Sequence, residues 1–250
     1  MNLVLLDAHE LTGDRDVAVV RGPRARHIHA VHRAAVGDTL RVGLVDGLVG
    51  EGVVTAIAPD EVSLRVRLFE PPPGGAGVDL LLALPRPKML RRLLAAIASM
   101  GIKRIVLVNS ARVEKSYFDS PLLLPAAIDE ALRLGLAQAR DTVLPEVRFE
   151  RRFRPFVEDQ LEACWPDSAQ RLLAHPVAAG GLADVWRSPG SHATVIAIGP
   201  EGGWVPFEVD LLEARRFQRF SAGSRILRVD TVVPFLVGQC ALLSGAAPAP

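Results

Sequence analysis

The chain has 250 residues, 49% of them hydrophobic and 23% charged, with 29 Lys+Arg against 28 Asp+Glu for a net charge of +1. That apolar content is ample for a buried core and excludes disorder as the default, while the length suits one large domain or two small ones. The near-zero charge excludes a globally basic nucleic-acid binder, and with no apolar run of the about 18 residues that span a bilayer and no basic-then-apolar signal segment, a soluble cytoplasmic protein is expected.

In chain order, short apolar stretches come first, at Leu3–Leu6, Val17–Val20, Thr39–Val42, Gly52–Ile57 and Val62–Leu68. Turn signals separate them: Thr12-Gly13-Asp14, Val36-Gly37-Asp38, Asp46-Gly47 and Pro59-Asp60. Ser63 to Leu68 alternates polar and apolar residues, as a strand with one wet face does. With one helix near Pro23–Ala34, this spacing predicts a small β-barrel over residues 1–70. Pro71-Pro72-Pro73-Gly74-Gly75-Ala76-Gly77 can form neither helix nor central strand and reads as a linker, 71–77.

From Val78 the pattern alternates strands with helices. Strands are predicted at Asp79–Leu84, Arg104–Val108, Glu146–Phe149, Arg171–Ala174, Ala193–Ile198 and Phe217–Phe220. Helices are predicted at Lys88–Met100, Pro121–Ala139, Phe156–Ala163, Phe207–Arg216 and Thr231–Ser244. Such alternation predicts an α/β domain over 78–250, a largely parallel sheet with helices on both faces. Cys164 and Cys240 lie in apolar surroundings without metal-ligand spacing, so reduced thiols and no metal site are expected.

Ligands of parallel sheets bind beyond the carboxyl ends of the strands. Three predicted strands break there: Leu172-Leu173-Ala174-His175-Pro176, Ile198-Gly199-Pro200-Glu201-Gly202-Gly203, and the segment Ser221-Ala222-Gly223-Ser224-Arg225-Ile226-Leu227-Arg228. Glycines let backbone approach a flat ligand closely, and a Cβ at Gly202 is expected to enter that space. Pro206 fits the first turn of the following helix and Glu208 its positive end. Arg228 and Asp230, just before the last helix, read either as a charge-stabilising and proton-accepting pair or as a surface ion pair. Residues 21–33 carry Arg21, Arg24, Arg26, Arg33 and three histidines without an acid. Residues 85–104 carry Arg86, Lys88, Arg91, Arg92, Lys103 and Arg104, again without one. Local patches of this kind can meet phosphates, or be solvated surface.

Together these segments resemble the RsmE family (ribosomal RNA small subunit methyltransferase E) of SPOUT-class RNA methyltransferases, over nearly the whole chain. There a Leu-x-His-Pro turn, an Ile-Gly-Pro-Glu-Gly-Gly loop and a Leu-Gly-x-Arg-Ile-Leu-Arg-x-Glu-Thr-Ala segment form one pocket. The resemblance implies a PUA-like β-barrel that helps bind RNA, then a trefoil-knotted α/β domain holding S-adenosylmethionine. It implies a homodimer that methylates N3 of a uridine in 16S rRNA of the small ribosomal subunit, without a metal. Carried over residue by residue, Leu173, Ala174, His175, Ile198, Gly199, Pro200, Glu201, Gly202, Ala222, Gly223, Ile226, Leu227 and Thr231 bind the cofactor. The resemblance implies that Arg228 and Asp230 are catalytic, and with the two acid-free segments Arg24, Arg26, His27, Arg33, Arg86, Lys88 and Arg112 are expected to bind RNA. His27, with Val31 and Arg33, matches the family's His-His-Leu-x-x-Val-Leu-Arg helix, and Arg112 its Ser-Glu-Arg-Ser. The apolar stripe Val232, Val233, Leu236, Val237, Cys240 and Leu243 is expected at the dimer interface.

The chain departs from the family in places. Met1-Asn2-Leu3-Val4 lacks the amino-terminal arginine. Ala95 to Gly101 lacks a Lys and a Glu, and Ala137-Gln138-Ala139-Arg140 replaces Glu-Gln-x-x-Arg. Asp230 stands for Glu, and Pro234 enters the last helix. A SPOUT enzyme acting on another rRNA nucleotide, and a non-catalytic RNA-binding ribosome-assembly factor, are the alternatives; the intact glycine loops disfavour the second.

Overall fold

A computed structural model describes residues 2–13, 16–30, 34–187 and 193–245. Asp14, Val31 and Arg33, named above, lie outside the described residues. The chain divides into two compact units, residues 1–74 with 133–144, and 75–132 with 145–250.

Among its described residues the first unit has a six-stranded sheet packed on a helix. β1 (Val4–Leu6), β2 (Leu11–Thr12), β3 (Val17–Arg21), β4 (Thr39–Leu44), β5 (Val49–Ala58) and β6 (Glu61–Glu70) lie in the order β1-β4-β5-β6-β3-β2. Only β1 and β4 are parallel. Alternation turns Val62, Leu64 and Val66 of β6 inward with Val4, Leu6, Val42 and Val54, against Ala25 and Ile28 of helix α1 (Pro23–Ala30). β1 and β2 remain edges and do not pair. The expected barrel is therefore a curled sheet filled by α1, because β1 joins β4 instead of closing on the far edge. Bulges in β5 at Val49/Gly50 and Val54/Ala56 help it curl. A Cβ on Gly50 would lie 2.0 Å from the Arg67 carbonyl oxygen, so the strands approach there only with glycine.

Residues 133–144, expected in the α/β domain, group with this unit. Hydrogen bonds explain why. Asn2 N–H donates to Ala137 O at 3.1 Å, Asp46 N–H to Thr142 O at 2.9 Å, and Leu144 N–H to Asp46 Oδ1 at 2.9 Å. Arg133 pairs with Asp7 at 2.9 Å.

The second unit has one all-parallel sheet: β7 (Val78–Ala83), β8 (Arg104–Val108), β9 (Glu146–Glu150), β10 (Gln170–Ala174), β11 (Thr194–Ile198) and β12 (Gln218–Phe220), ordered β12-β10-β11-β7-β8-β9. Consecutive residues of β11 are all buried, so both faces are covered. The helices that follow β7 in the chain are α2 (Pro87–Ser99), α3 (Pro125–Ala139, of which 133–139 belong to the first unit), α4 (Phe153–Pro155), α5 (Leu161–Cys164), α6 (Leu182–Val185), α7 (Pro206–Ala214) and α8 (Val229–Leu243). A π segment, Phe156–Gln160, joins α4 to α5. The helix expected from Pro121 is a 3-10 turn, Pro121–Leu123, with α3 starting at Pro125, because each proline suits a first turn and not an interior. α2 buries Met89, Leu90, Leu93, Leu94, Ile97 and Ala98, and contacts α8. Both cysteines are free; burial pushes the Cys164 thiol up, and that of Cys240 up to about 12.

Candidate functional site

β10 pairs with both β11 and β12, and Ala174 is in register with Ile198 on one side and Phe220 on the other. The three broken strands therefore leave the sheet at one level. His175 N–H donates to Phe220 O at 2.9 Å and Ser221 N–H to Gly180 O at 2.8 Å, holding the first and third loops together. Between the loops lies a cavity of about 240 Å³. That is below the usual roughly 300–1,000 Å³ of small-molecule sites, so it suits part of one small ligand and no stretch of nucleic acid.

Ala174, His175, Ile198, Gly199, Pro200, Glu201, Gly202, Ala222, Gly223, Ile226 and Leu227 all line this cavity. Two of the expected residues do not. Leu173 is fully buried inside β10, and Thr231 is exposed with its hydroxyl 3.5 Å from Asp230 Oδ1. Pro176, Gly203, Trp204, Ser221, Arg225, Val229 and Val232 also line it. Most adjoin the motifs, but no residue pattern announces Val232, one turn into α8.

The second loop is a tight turn. Gly203 N–H donates to Pro200 O at 2.7 Å, and Gly203 adopts φ 74°, where a side chain is strained. Trp204, 5% exposed, packs at 5.5 Å on Phe153, and among the described residues its indole N–H has no partner. A Cβ on Gly199 would lie 3.1 Å from both Trp204 N and Trp204 Cδ1. A side chain at Gly199 would therefore have to push Trp204 back by a few tenths of an ångström. The expectation for Gly202 is corrected: its Cβ would first meet Arg112 Cδ, at 3.0 Å, because the Arg112 side chain lies across that face of the loop. Arg112 also donates to the Gly202 carbonyl. Glu208, buried at the start of α7, accepts from Val205 N–H at 3.0 Å and Ala111 N–H at 2.7 Å.

In the first loop, His175 Nδ1 accepts from Val177 N–H at 3.3 Å. Burial, and then the nearby Arg219 guanidinium, hold the imidazole below its ordinary value, so it is a neutral wall of the cavity near pH 7. Arg228 and Asp230 lie beside Leu227 and Val229, outside the lining. Arg228 Nη2 donates to Asp230 Oδ2 at 3.2 Å, with side chains 75% and 31% exposed. The arginine is available to something arriving from solvent.

The expected RNA-facing residues are less uniform. The 21–33 segment holds no acid, yet acids from elsewhere in its unit meet it. Arg24 donates to Leu5 O at 2.7 Å and pairs with Glu10 and Asp7, and Arg26 pairs with Asp60. His27 is half-buried on α1. In the second unit Lys88 is exposed on α2, and Arg86 is exposed at its N-cap, beside Tyr117. Among the described residues no group of His, Cys, Asp or Glu could hold a metal, and no helix is long and apolar enough to cross a membrane.

A family model described as an RNA methyltransferase domain matches residues 74–240. Ribosomal RNA small subunit methyltransferase E of Treponema pallidum (strain Nichols) is 29% identical over 234 residues, 92% of this chain and 87% of its own. Ribosomal RNA small subunit methyltransferase E 1 of Borreliella burgdorferi is 24% identical over 153 residues, 61% of each chain. Among solved structures, a ribosomal RNA small subunit methyltransferase E from Neisseria gonorrhoeae, bound to S-adenosylmethionine, matches with a TM-score of 0.73 at 20% identity, covering 96% of this chain and 98% of its own. A Legionella pneumophila protein in complex with the same cofactor matches with a TM-score of 0.77 at 18% identity, covering 97% of each. At such identities the structural likeness establishes a shared mixed α/β fold.

Proposed function

The chain belongs to the RNA methyltransferase domain family, and from that premise we propose that it is an S-adenosylmethionine-dependent enzyme methylating N3 of a uridine in 16S rRNA of the small ribosomal subunit. The observation that carries this reading is the convergence of three in-register strand ends on one cavity, with Arg228 and Asp230 immediately outside it. The lining fits the cofactor's two characters. Ile198, Leu227, Val229 and Val232 offer apolar surface, while glycine backbone and the partnerless indole N–H of Trp204 offer polar contact. A neutral His175 leaves the cavity open to a ligand carrying positive charge. When bound, S-adenosylmethionine supplies an electrophilic methyl group.

The residues outside the cavity answer the substrate's side of the chemistry. N3 of uridine must lose a proton, and the ring then carries negative charge on its oxygens. The exposed Arg228 guanidinium suits stabilisation of that charge. Asp230, held by the same arginine, suits acceptance of the proton or orientation of the guanidinium. On this reading the second unit is the SPOUT-type trefoil-knotted domain and the first a PUA-like RNA-binding domain of a cytoplasmic protein. α8 buries Val232, Val233, Leu236, Val237 and Cys240 within its own unit and leaves Phe235 and Leu242 at 44% and 81% exposure. That outer face supports a homodimer through α8, a modification of the stripe read from the sequence.

The deciding experiment is methyl transfer to purified 30S subunits and to naked 16S rRNA, with mapping of the product. A single N3-methyluridine is expected. Methylation of another nucleotide would favour the alternative of a changed target, whose signature is the departures around Ala96, Ser99 and Ala137. No transfer by a protein that binds S-adenosylmethionine would favour an assembly factor.

A further inference from the structure

Glu208 is 2% exposed, and among the described residues no Lys, Arg or His pairs with it. A buried carboxylate without a cation is costly unless several donors meet it. Its two donors are backbone N–H groups from different loops. Val205 N–H, at 3.0 Å, lies three residues back, and this bond alone would make Glu208 an ordinary first-turn cap of α7. Ala111 N–H, at 2.7 Å, comes from 97 residues away, in the loop after β8. The next residue, Arg112, lays its side chain over Gly202 and donates to the Gly202 carbonyl. The glycine loop is thus clasped to the 109–112 loop at both Gly202 and Val205.

We propose that Glu208 is a positioning residue: by joining Ala111 to Val205 it makes the loop carrying Arg112 and the glycine loop close as one, so that filling the cavity is felt at Arg112. This rests on the cofactor reading above. Coupling of this kind is reciprocal, so whatever engages Arg112 tightens the cavity by the same factor that cofactor orders Arg112. Glutamine fills the same volume but has one carbonyl oxygen and an amide that cannot accept; Glu208→Gln therefore keeps one clasp and loses the other.

The test combines calorimetric titration with S-adenosylmethionine and hydrogen exchange at the Ala111 and Val205 amides. In the wild type, cofactor is expected to slow exchange at Ala111 as well as at Val205. Glu208→Gln is expected to weaken cofactor binding about tenfold, the size of one lost charge-assisted hydrogen bond. Saturating cofactor should then no longer slow both Ala111 and Val205. Arg112→Ala should cost less in the Glu208→Gln background than in the wild type, because the two contacts act as one unit. A variant that melts earlier yet keeps wild-type affinity and cofactor-dependent protection at Ala111 would make Glu208 a helix cap only and overturn the proposal. Wild-type exchange decides alone if the variants do not fold: protection by cofactor confined to the glycine loop overturns it too. A wild type that does not bind S-adenosylmethionine removes the cofactor reading first, a result visible before any variant is made.

Discussion

Asp79, Arg104, Glu146 and Arg171 stand at or beside the first residues of β7, β8, β9 and β10, whereas Ala174, Ile198 and Phe220 close β10, β11 and β12 at the opposite end of the same sheet. At the amino end most of the polar groups find one another, although among the described residues Arg171 Nε has no hydrogen-bond partner. Trp165 Nε1–H donates to Asp79 Oδ2 at 2.7 Å, and Arg104 donates to Glu146 at 3.1 Å and to the Cys164 carbonyl at 2.8 Å. Arg171, 3% exposed, donates to the carbonyls of Trp165 at 2.6 Å and Arg215 at 2.8 Å. Burial pushes the Asp79 carboxyl up and the Arg171 guanidinium down, so these are charges kept for cross-linking at some cost. At the carboxyl end, buried Trp204 Nε1, Asn109 Oδ1 and Ser110 Oγ have no partner among the described residues, and the loops enclose space. Buried polar groups in folded proteins are normally satisfied, and of these residues Trp204 lines the cavity, where a ligand would complete its indole N–H.

If that contrast holds, changes at the carboxyl end alter function at constant stability, and changes at the amino end do the reverse. The largest effect is expected for Arg228→Ala. Single-turnover methyl transfer should fall roughly 10²–10³-fold, the cost of losing one transition-state charge stabiliser. Cofactor affinity should stay within a few fold, because Arg228 is outside the cavity lining. Transfer at the wild-type rate would leave Arg228 as half of a surface ion pair. Next comes Gly199→Ala, whose Cβ must push back Trp204. Trp204 lines the cavity, so its displacement reshapes the wall, and calorimetry should show a loss of cofactor affinity. Unchanged affinity in the folded variant would remove Trp204 from the site. At the other end, Trp165→Phe leaves the Asp79 carboxylate without its indole donor. Denaturant unfolding should show a loss of about 1–3 kcal/mol, with transfer per folded molecule unchanged. A drop in transfer rate at equal stability would mean that the two ends are not separate in purpose.

What the sequence discloses follows the same division. Strands buried on both faces must be continuous apolar runs, and Asp79–Leu84, Arg104–Val108 and Ala193–Ile198 coincide with β7, β8 and β11 to within a residue at each end. Glycine and proline mark the strand-end loops: Gly203 and Gly223 take positive φ, and Pro206 opens α7. Partners distant in sequence are another matter. No periodicity signals that Leu144 bonds to Asp46, and so the first unit's claim on residues 133–144 was invisible. The acids that meet Arg24 and Arg26 lie outside the segment whose composition suggested a bare basic patch. Glu208 reads as a helix-start carboxylate, which it is; its second partner, Ala111, emerges only when two loops are brought together.

The smallest effect concerns His175, the one titrating wall of the cavity near neutral pH. Burial is the main cause of its lowered pKa, Arg219 adds to it, and Glu213 opposes both. The sign follows from linkage. A histidine whose folded pKa lies below its ordinary value of 6.5 binds its proton more weakly in the folded protein than in the unfolded chain. Its contribution to stability is therefore fully present above that ordinary value and is lost as pH falls through the folded one. Protonation also ends the Nδ1 acceptance from Val177 N–H and places a cation in a cavity proposed for a sulfonium. Between about pH 7 and pH 5, the wild type should lose thermal stability and cofactor affinity by more than His175→Gln does. The difference should be small, since the ring is partly exposed and solvent screens it. Thermal melts and calorimetry of both proteins across that range provide the comparison, and parallel pH profiles would show that the proton on His175 is felt neither by the fold nor by the ligand.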